Sequence, residues 1–207
     1  MANQIDSPQP PVLPTPSQNY TSSVFIQKDN VLRLFFNRIT TVLRNILSST
    51  EYGGKFLYVP VGLFYSTQTQ QIATVNTPQA ITLNQTYISK GISIVDNSKI
   101  KVDNDGVYNF QISLELDKQS ASSAIAYVWI RKNGTDTQYS THTYHLSGSD
   151  AALEANWVFN YDMVAGDYIQ MILLSNDTDV FLSSEAQTSP HVGIPSVVAA
   201  VNFVSNY

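Results

Sequence analysis

Three histidines, His142, His145 and His191, are the only imidazoles in the chain, and there is no cysteine. Disulfides and thiolate-ligated zinc or iron–sulfur centres are therefore excluded. His142 and His145 lie an odd number of residues apart in a stretch that reads as a strand, so their rings point to opposite faces and cannot share one metal without a bulge. The acidic turn Asp103-Asn104-Asp105-Gly106 has the look of a calcium loop, but it lacks the onward ligand spacing and the closing bidentate Glu of an EF-hand. Two sequence-near carboxylate pairs, Asp150 with Glu154 and Asp162 with Asp167, are the candidates for glycoside cleavage, a chemistry that depends on their separation in space. Each acid sits at a strand end or turn, where a solvated carboxylate is the ordinary expectation. No Gly-x-Ser-x-Gly elbow, phosphate-cradling glycine loop or His-Glu-x-x-His helix occurs, so the expectation is a protein that is not an enzyme and carries no cofactor. The remaining chemistry is aromatic. Tyr127, Trp129, Tyr139, Tyr144 and Trp157 could serve as platforms for sugars; alternation assigns Trp157 to the core, while Tyr139, His142 and Tyr144, near the Ser147-Gly148-Ser149 turn, form the expected receptor surface.

Those residues need a scaffold, and the composition says which kind. The 207 residues include 11 Lys plus Arg and 16 Asp plus Glu, a charged fraction of 13%, about half of the roughly 25% usual in soluble domains. Ser, Thr, Asn and Gln make up about a third of the chain, and 43% hydrophobic residues are ample for a core. With a net charge of −5 and no dense basic stripe, nucleic acid is not an expected partner. No stretch of about 18 apolar residues occurs, so membrane insertion is not expected, and the N-terminus lacks the basic and apolar regions of a secretory signal. The sequons at Asn19, Asn84, Asn133 and Asn176 are what a chain this rich in Asn, Ser and Thr produces without selection for glycosylation.

Three regions follow. Residues 1–28 read as an extended arm, because five of the nine prolines (Pro8, Pro10, Pro11, Pro14, Pro16) fall there among Gln, Ser and Thr. Residues 29–50 read as one amphipathic helix, capped by Asp29 or Asn30, with Leu32, Phe35, Ile39, Val42 or Leu43 and Ile46 on one face and Phe36 and Leu47 widening it. Such a helix packs either on its own domain or, with more weight, against further copies or a host protein. Residues 55–207 read as β throughout. Tyr108, Phe110, Ile112, Leu114 and Leu116 alternate with polar residues, as do Leu153, Ala155, Trp157, Phe159, Tyr161 and Met163. Further strands are expected at 56–65, 70–75, 79–83, 91–95, 98–102, 124–132, 135–145, 167–174, 179–183 and 196–205, punctuated by Asn104-Asp105-Gly106, Asn133-Gly134 and Ala165-Gly166-Asp167. The fold class is mainly β, an antiparallel jelly-roll sandwich of about ten strands with a Pro-rich arm and one amphipathic helix.

Two strands are apolar on both faces. Ala126, Val128 and Ile130 oppose Ile125, Tyr127 and Trp129, and Val197, Ala199, Val201 and Phe203 oppose Val198, Ala200 and Val204. A sandwich strand needs one inward face, so the second must meet a subunit or a covering segment such as the helix. Tyr127, Trp129, Val198, Val201 and Phe203 are the expected subunit-interface residues.

The run Ile100-x-Val102-x-x-x-Gly106-x-Tyr108-x-Phe110, then Val128-x-Ile130-x-x-Asn133-Gly134, Ala165-Gly166-Asp167-Tyr168 and a closing strand ending at Phe203, resembles the trimeric jelly rolls of the complement globular-head and tumour-necrosis-factor-like group, over about residues 60–205. The resemblance implies a homotrimer, and some globular-head relatives bind calcium near the trimer apex. The Pro-rich arm with FIQKDNVLRLFFNRITTVL is similar, over about residues 20–47, to the N-terminal region of small structural proteins of tailed phages, especially marine and cyanobacterial ones. That second resemblance implies a virion protein made in the host cytoplasm. It would dock on other virion proteins (capsid, neck or tail) through Phe25, Leu32, Phe35, Phe36 and Ile39 and display a knob for host attachment. The rival expectations are a carbohydrate-binding adhesion module recognising a host-surface glycan and, with less weight, a polysaccharide depolymerase.

Overall fold

A computed structural model describes residues 11–13, 22–47 and 59–206, and the chain divides into two compact units, Met1–Tyr58 and Val59–Tyr207. The first contains helix α1, Ser22–Leu47. The helix starts seven residues earlier than the sequence pattern suggests. Residues 22–28 contain neither Gly nor Pro, and Val24 and Val31 extend the half-buried row of Leu32, Phe35, Ile39 and Val42 toward the N-terminus. Asn30, expected as a cap, is instead interior, where its Oδ1 accepts a hydrogen bond from Arg33 Nη2 at 3.2 Å. No helix among the described residues is long and apolar enough to cross a membrane. The expected helix end at 48–50 and most of the expected Pro-rich arm lie outside the described residues.

The second unit is an antiparallel β sandwich. Its described strands are β1 (Val61–Ser66), β2 (Gln70–Gln71), β3 (Gln79–Ala80), β4 (Gln85–Lys90), β5 (Ile92–Val95), β6 (Lys99–Val102), β7 (Gly106–Lys118), β8 (Ala124–Lys132), β9 (Thr135–Asp136), β10 (His142–Leu146), β11 (Leu153–Met163), β12 (Tyr168–Ser175), β13 (Val180–Leu182) and β14 (Val197–Ser205). One sheet runs β2-β13-β7-β14-β1-β4 with β11 on the remaining edge of β7; the other runs β10-β8-β12-β6-β5, with β3 on β12 and β9 on β8. The first and last long strands, β1 and β14, are antiparallel neighbours, and β6, β8 and β12 pair out of sequence order. These crossings between two facing sheets make the sandwich a jelly roll.

Alternation builds the core. Tyr108, Phe110, Ile112, Leu114 and Leu116 of β7 are fully or almost fully buried, as are Ala126, Val128 and Ile130 of β8 and Ile169, Met171 and Leu173 of β12. β4 was not legible in the sequence, because five of its six residues are exposed and nothing in QTYISK alternates. The expected strand 135–145 is broken into β9 and β10 by a turn in which Tyr139 has φ 62°.

Both ends of β7 are fixed by single residues. At its start Gly106 has φ +148°, and a Cβ there would press on the Phe203 ring and lie 2.8 Å from the Ser205 carbonyl oxygen. This close approach lets Tyr108 stack edge-on against Phe203, with centroids 5.6 Å apart, while its hydroxyl donates to the Asn104 carbonyl at 2.8 Å. At its far end Lys118 keeps the inward register and is fully buried. Its ammonium donates to the carbonyls of Ser120 and Ser122 and reaches both serine hydroxyls, so the loop after β7 folds over the charge. Without those oxygens a buried cation in this row would be untenable.

Three of the four glycine turns singled out in the sequence, all but Ser147-Gly148, converge through Asp167. Its Oδ1 accepts from Asn133 Nδ2 at 2.7 Å, its Oδ2 accepts from Val164 N–H at 2.9 Å, and Lys132 Nζ lies 3.1 Å away. Asp105 Oδ1 accepts from Ala165 N–H at 2.7 Å, tying in the third turn. Burial pushes the Asp167 carboxyl up, but the hydrogen bonds from Val164, Asn133 and Lys132 outweigh it and hold the group below its usual range.

Two outcomes are expected from urea unfolding of the purified chain. Gly106→Ala should destabilise the sandwich by more than about 1 kcal/mol, through strain and the clash with Phe203; an unchanged midpoint would refute the close-approach argument. Because the folded-state pKa of Asp167 is depressed, its contribution is complete above the unfolded value of about 3.9 and is lost as pH falls through the lower folded value. Asp167→Asn should therefore cost about 1 kcal/mol at pH 7 and progressively less as the pH drops below about 4.

Candidate binding site

The sandwich has an open side where the last strand of each sheet, β10 and β11, face each other without being hydrogen-bonded. On β10 the inward row is His142, Tyr144 and Leu146; on β11 it is Trp157, Phe159 and Tyr161. The His142 ring lies over the Trp157 indole, with centroids 5.5 Å apart and planes at 28°. Further along, Phe159 stacks on core Phe110 at 5.2 Å and meets Tyr161 edge-on at 5.3 Å. Together with Ile130 and residues 137–140 these rings bound a cleft of about 330 Å³.

One wall of that cleft is a constrained turn. Ser140 Oγ accepts from Ile130 N–H at 3.1 Å and donates to the Thr137 carbonyl at 2.8 Å, replacing the ladder bonds that β9 and β10 leave unmade. Pinned in this way, Tyr139 adopts its left-handed φ and stands wholly exposed. A bulky residue in that region is strained, and an exposed ring returns nothing to folding. At the floor, Trp157 is only 8% exposed, yet its indole N–H is buried with no acceptor.

The sequence-predicted receptor residues thus fall in one neighbourhood with different roles. Tyr139 is a free-standing rim, His142 covers Trp157, and Tyr144 packs on the core, where burial pushes its phenol pKa up. The faces of His142 and His145 differ as the odd spacing requires: they pair with buried Val128 and half-buried Ile125 respectively.

The five expected interface residues do not lie together. Val201 and Phe203 are corrected to the core, at 0% and 8% exposure, because the odd-numbered row of β14 faces the opposing sheet. Val198 is on the outer face of the first sheet. There Val158, Val198 and Ala200, with Gln111, Ser113 and Asn156, line a shallow groove of about 590 Å³, which Ile112 and Trp157 of the inward rows also border. Tyr127 and Trp129 are half-buried on the outer face of the second sheet. Trp129 Nε1 donates to Asp136 Oδ1 at 2.8 Å, and Arg131 Nε donates to the same oxygen at 2.8 Å; with Arg131 first and Trp129 second, these bonds pull the Asp136 pKa down. Of the expected docking residues on α1, Leu32, Phe35 and Ile39 are half-buried, and Phe25 and Phe36 are exposed.

Two of the four candidate carboxylates are engaged: Asp167 belongs to the turn network, and Glu154 Oε1 accepts from Ser113 Oγ at 3.1 Å. At Asp162 it is the backbone carbonyl that accepts from Lys132 Nζ, at 2.6 Å. Glu154 stands directly across from Glu115. Burial first, then Glu154 and Glu185, raise the Glu115 pKa, whereas hydrogen bonds from Asn156 and Ser113 lower that of Glu154. Asp105, the centre of the calcium-like turn, is engaged by Ala165 N–H, and among the described residues no three His, Asp or Glu side chains gather as a metal site. Sequence reasoning missed Lys118, Ser140 and the meeting of His142 with Trp157. The last two rings are fifteen positions apart and lie on different sheets, so no local spacing signals the contact.

No protein-family model matches the chain, and no curated protein matches it in sequence. Among solved structures it is similar to murine APRIL at pH 8.5, with 12% identity, 70% of this chain and 99% of that chain covered, and a TM-score of 0.45. It is likewise similar to murine APRIL at pH 5.0, with 14% identity, the same coverage and a TM-score of 0.46.

His142→Ala should uncover the indole beneath it. In a Trp129→Phe background, which leaves Trp157 as the only indole, the emission maximum should move to longer wavelength while the unfolding midpoint stays within about 0.5 kcal/mol of the parent. An unshifted spectrum would contradict the stacked arrangement.

Proposed function

We propose that this chain is a non-enzymatic virion structural protein of a tailed phage, in which the N-terminal segment seats on the particle and the jelly roll is displayed as a threefold knob for host attachment. The observation that carries the docking role is α1. It is a 26-residue helix in a unit of its own, and Ile26, Leu34, Phe36 and Leu43 are exposed around it. Exposed apolar side chains on several sides of one helix call for a partner. The phage assignment is supported by the likeness of Phe25–Leu43 and the Pro-rich arm to the N-terminal regions of such proteins. Seating an arm and a helix costs ordering entropy. Three linked copies offset it, because the second and third arms bind at high effective concentration once the first is held.

Threefold self-association is supported by the outer face of the first sheet. Val158 is 64% exposed there, beside Val198 and Ala200, and no Lys or Arg lines the groove between them. A face that meets a different surface of the next copy closes into a ring when the rotation between copies is 120°.

Two experiments test this reading. Phe35→Asp with Ile39→Asp should give a folded knob that fails to join the particle; incorporation at wild-type levels would overturn the docking role. By light scattering, the full chain should weigh three times its 22.9 kDa, and Val158→Lys with Val198→Lys should reduce it to one chain mass without unfolding. A wild-type monomer would overturn the trimer.

A further inference from the structure

We propose that the cleft between β10 and β11 binds an uncharged saccharide, an inference that rests on the reading of the knob as an attachment domain and names its ligand class. Four observations carry it. Its volume of about 330 Å³ is that of a small ligand pocket. Its walls offer aromatic faces, His142 on Trp157 and then Phe159 and Tyr161, against which the C–H face of a pyranose ring can lie. Beneath its floor lies a donor with no acceptor, the buried Trp157 indole N–H, in a side chain more than nine-tenths buried. Native structures rarely leave such a group unpaired, and a ligand hydroxyl that parts the side chains closing over it, the His142 ring among them, would satisfy it. The fourth observation is the rim.

The polar groups around the cleft are Thr137, Gln138, Ser140 and Asn160, hydroxyls and amides that both donate and accept. No Lys, Arg, Asp or Glu lines it. A uronate or sialate would lose its hydration and gain no counter-charge, whereas a neutral hexose or N-acetylhexosamine finds a partner for each hydroxyl. Tyr139 fits the same reading. Held in left-handed backbone by the Ser140 clamp and wholly exposed, its ring stands where a second sugar unit leaving the cleft would pass.

The competing occupant is the edge of a second copy of this chain, and the experiment separates the two. The full-length chain carrying Trp129→Phe is titrated with neutral tetrasaccharides (cellotetraose, maltotetraose, mannotetraose and chitotetraose) and with tetragalacturonate, following Trp157 emission and calorimetry. The expected result is saturable binding of at least one neutral tetrasaccharide with a Kd below about 1 mM and no binding of tetragalacturonate. Trp157→Phe, which keeps a ring and removes the N–H, should weaken that binding at least tenfold, as should Tyr139→Ala, both with unchanged solution mass; Tyr139→Ala should keep the parent's unfolding midpoint, and Trp157→Phe, which loses buried volume, should lower it while remaining folded under the conditions of the titration. Any of three results would overturn the proposal: no neutral tetrasaccharide binds, Trp157→Phe binds as well as its parent, or either variant lowers the solution mass. The last would assign the cleft to contact between copies. Binding without a threefold mass would leave the saccharide site standing and sink the trimer reading instead.

Discussion

Everything in the sandwich depends on the inward row of β7. Tyr108, Phe110, Ile112, Leu114 and Leu116 supply one side of the core, and the same strand carries the hydrogen bonds of β11 along one edge and of β14, then β13, along the other. Hydrophobic burial is non-directional, so it cannot choose this register by itself. The choice comes from the ends. Gly106 permits the backbone of β7 to pass against Phe203 and Ser205, and Lys118 stays inside because the serine-rich loop supplies its oxygen partners. A slip of one residue would turn five apolar side chains to solvent and bury Asn109, Gln111, Ser113 and Glu115.

That constraint also explains where binding surfaces can exist. Because β11 is the last strand beyond β7, its inward row has a sheet on only one side. Ala155, nearer one end, is fully covered, while Phe159 and Tyr161 remain half-buried. β10 ends the opposing sheet in the same way. Aromatic side chains at two such edges are long enough to reach across the gap, and His142 over Trp157 is that reach. The cleft is thus a consequence of the strand order, and its chemistry follows from the residues that alternate into an incompletely closed side.

How much of this was legible in the sequence follows from the range of the signal. Period-two alternation is local, and it located β7, β8, β11 and β14 together with the jelly-roll class. It could not identify the inner face of a strand apolar on both sides, which is why Val201 and Phe203 were expected at a subunit surface and are found in the core. β4 gave no alternation because it lies exposed on the edge next to β1. The start of α1 was misplaced because Asp29 and Asn30 look like caps, whereas Asn30 bonds Arg33 inside a longer helix. Turn chemistry marked Asn104–Gly106, Asn133-Gly134 and Ala165–Asp167 separately, but nothing short of three-dimensional placement says that Asp167 and Asp105 tie them into one cluster.

The low charge fraction acquires a more specific meaning once the faces are assigned. Many of the charged groups on the sandwich are spent internally: Asp136 on Arg131 and Trp129, Asp167 on Lys132, Asp96 on Lys99, and Lys118 on its own loop. The surfaces left over are of two kinds with different requirements. The groove on the outer face of the first sheet is broad and shallow with protruding Val158, a shape that another flat protein surface can cover. By contrast the β10–β11 cleft is smaller, ringed by aromatic faces and small polar groups, with the unpaired Trp157 N–H buried beneath it. A flat apolar surface would strip water from Thr137, Gln138, Ser140 and Asn160 without replacing its hydrogen bonds. A ligand with an apolar face and an outward array of oxygens would not, and this difference in hydrogen-bonding capacity is the ground for proposing different occupants for the two surfaces.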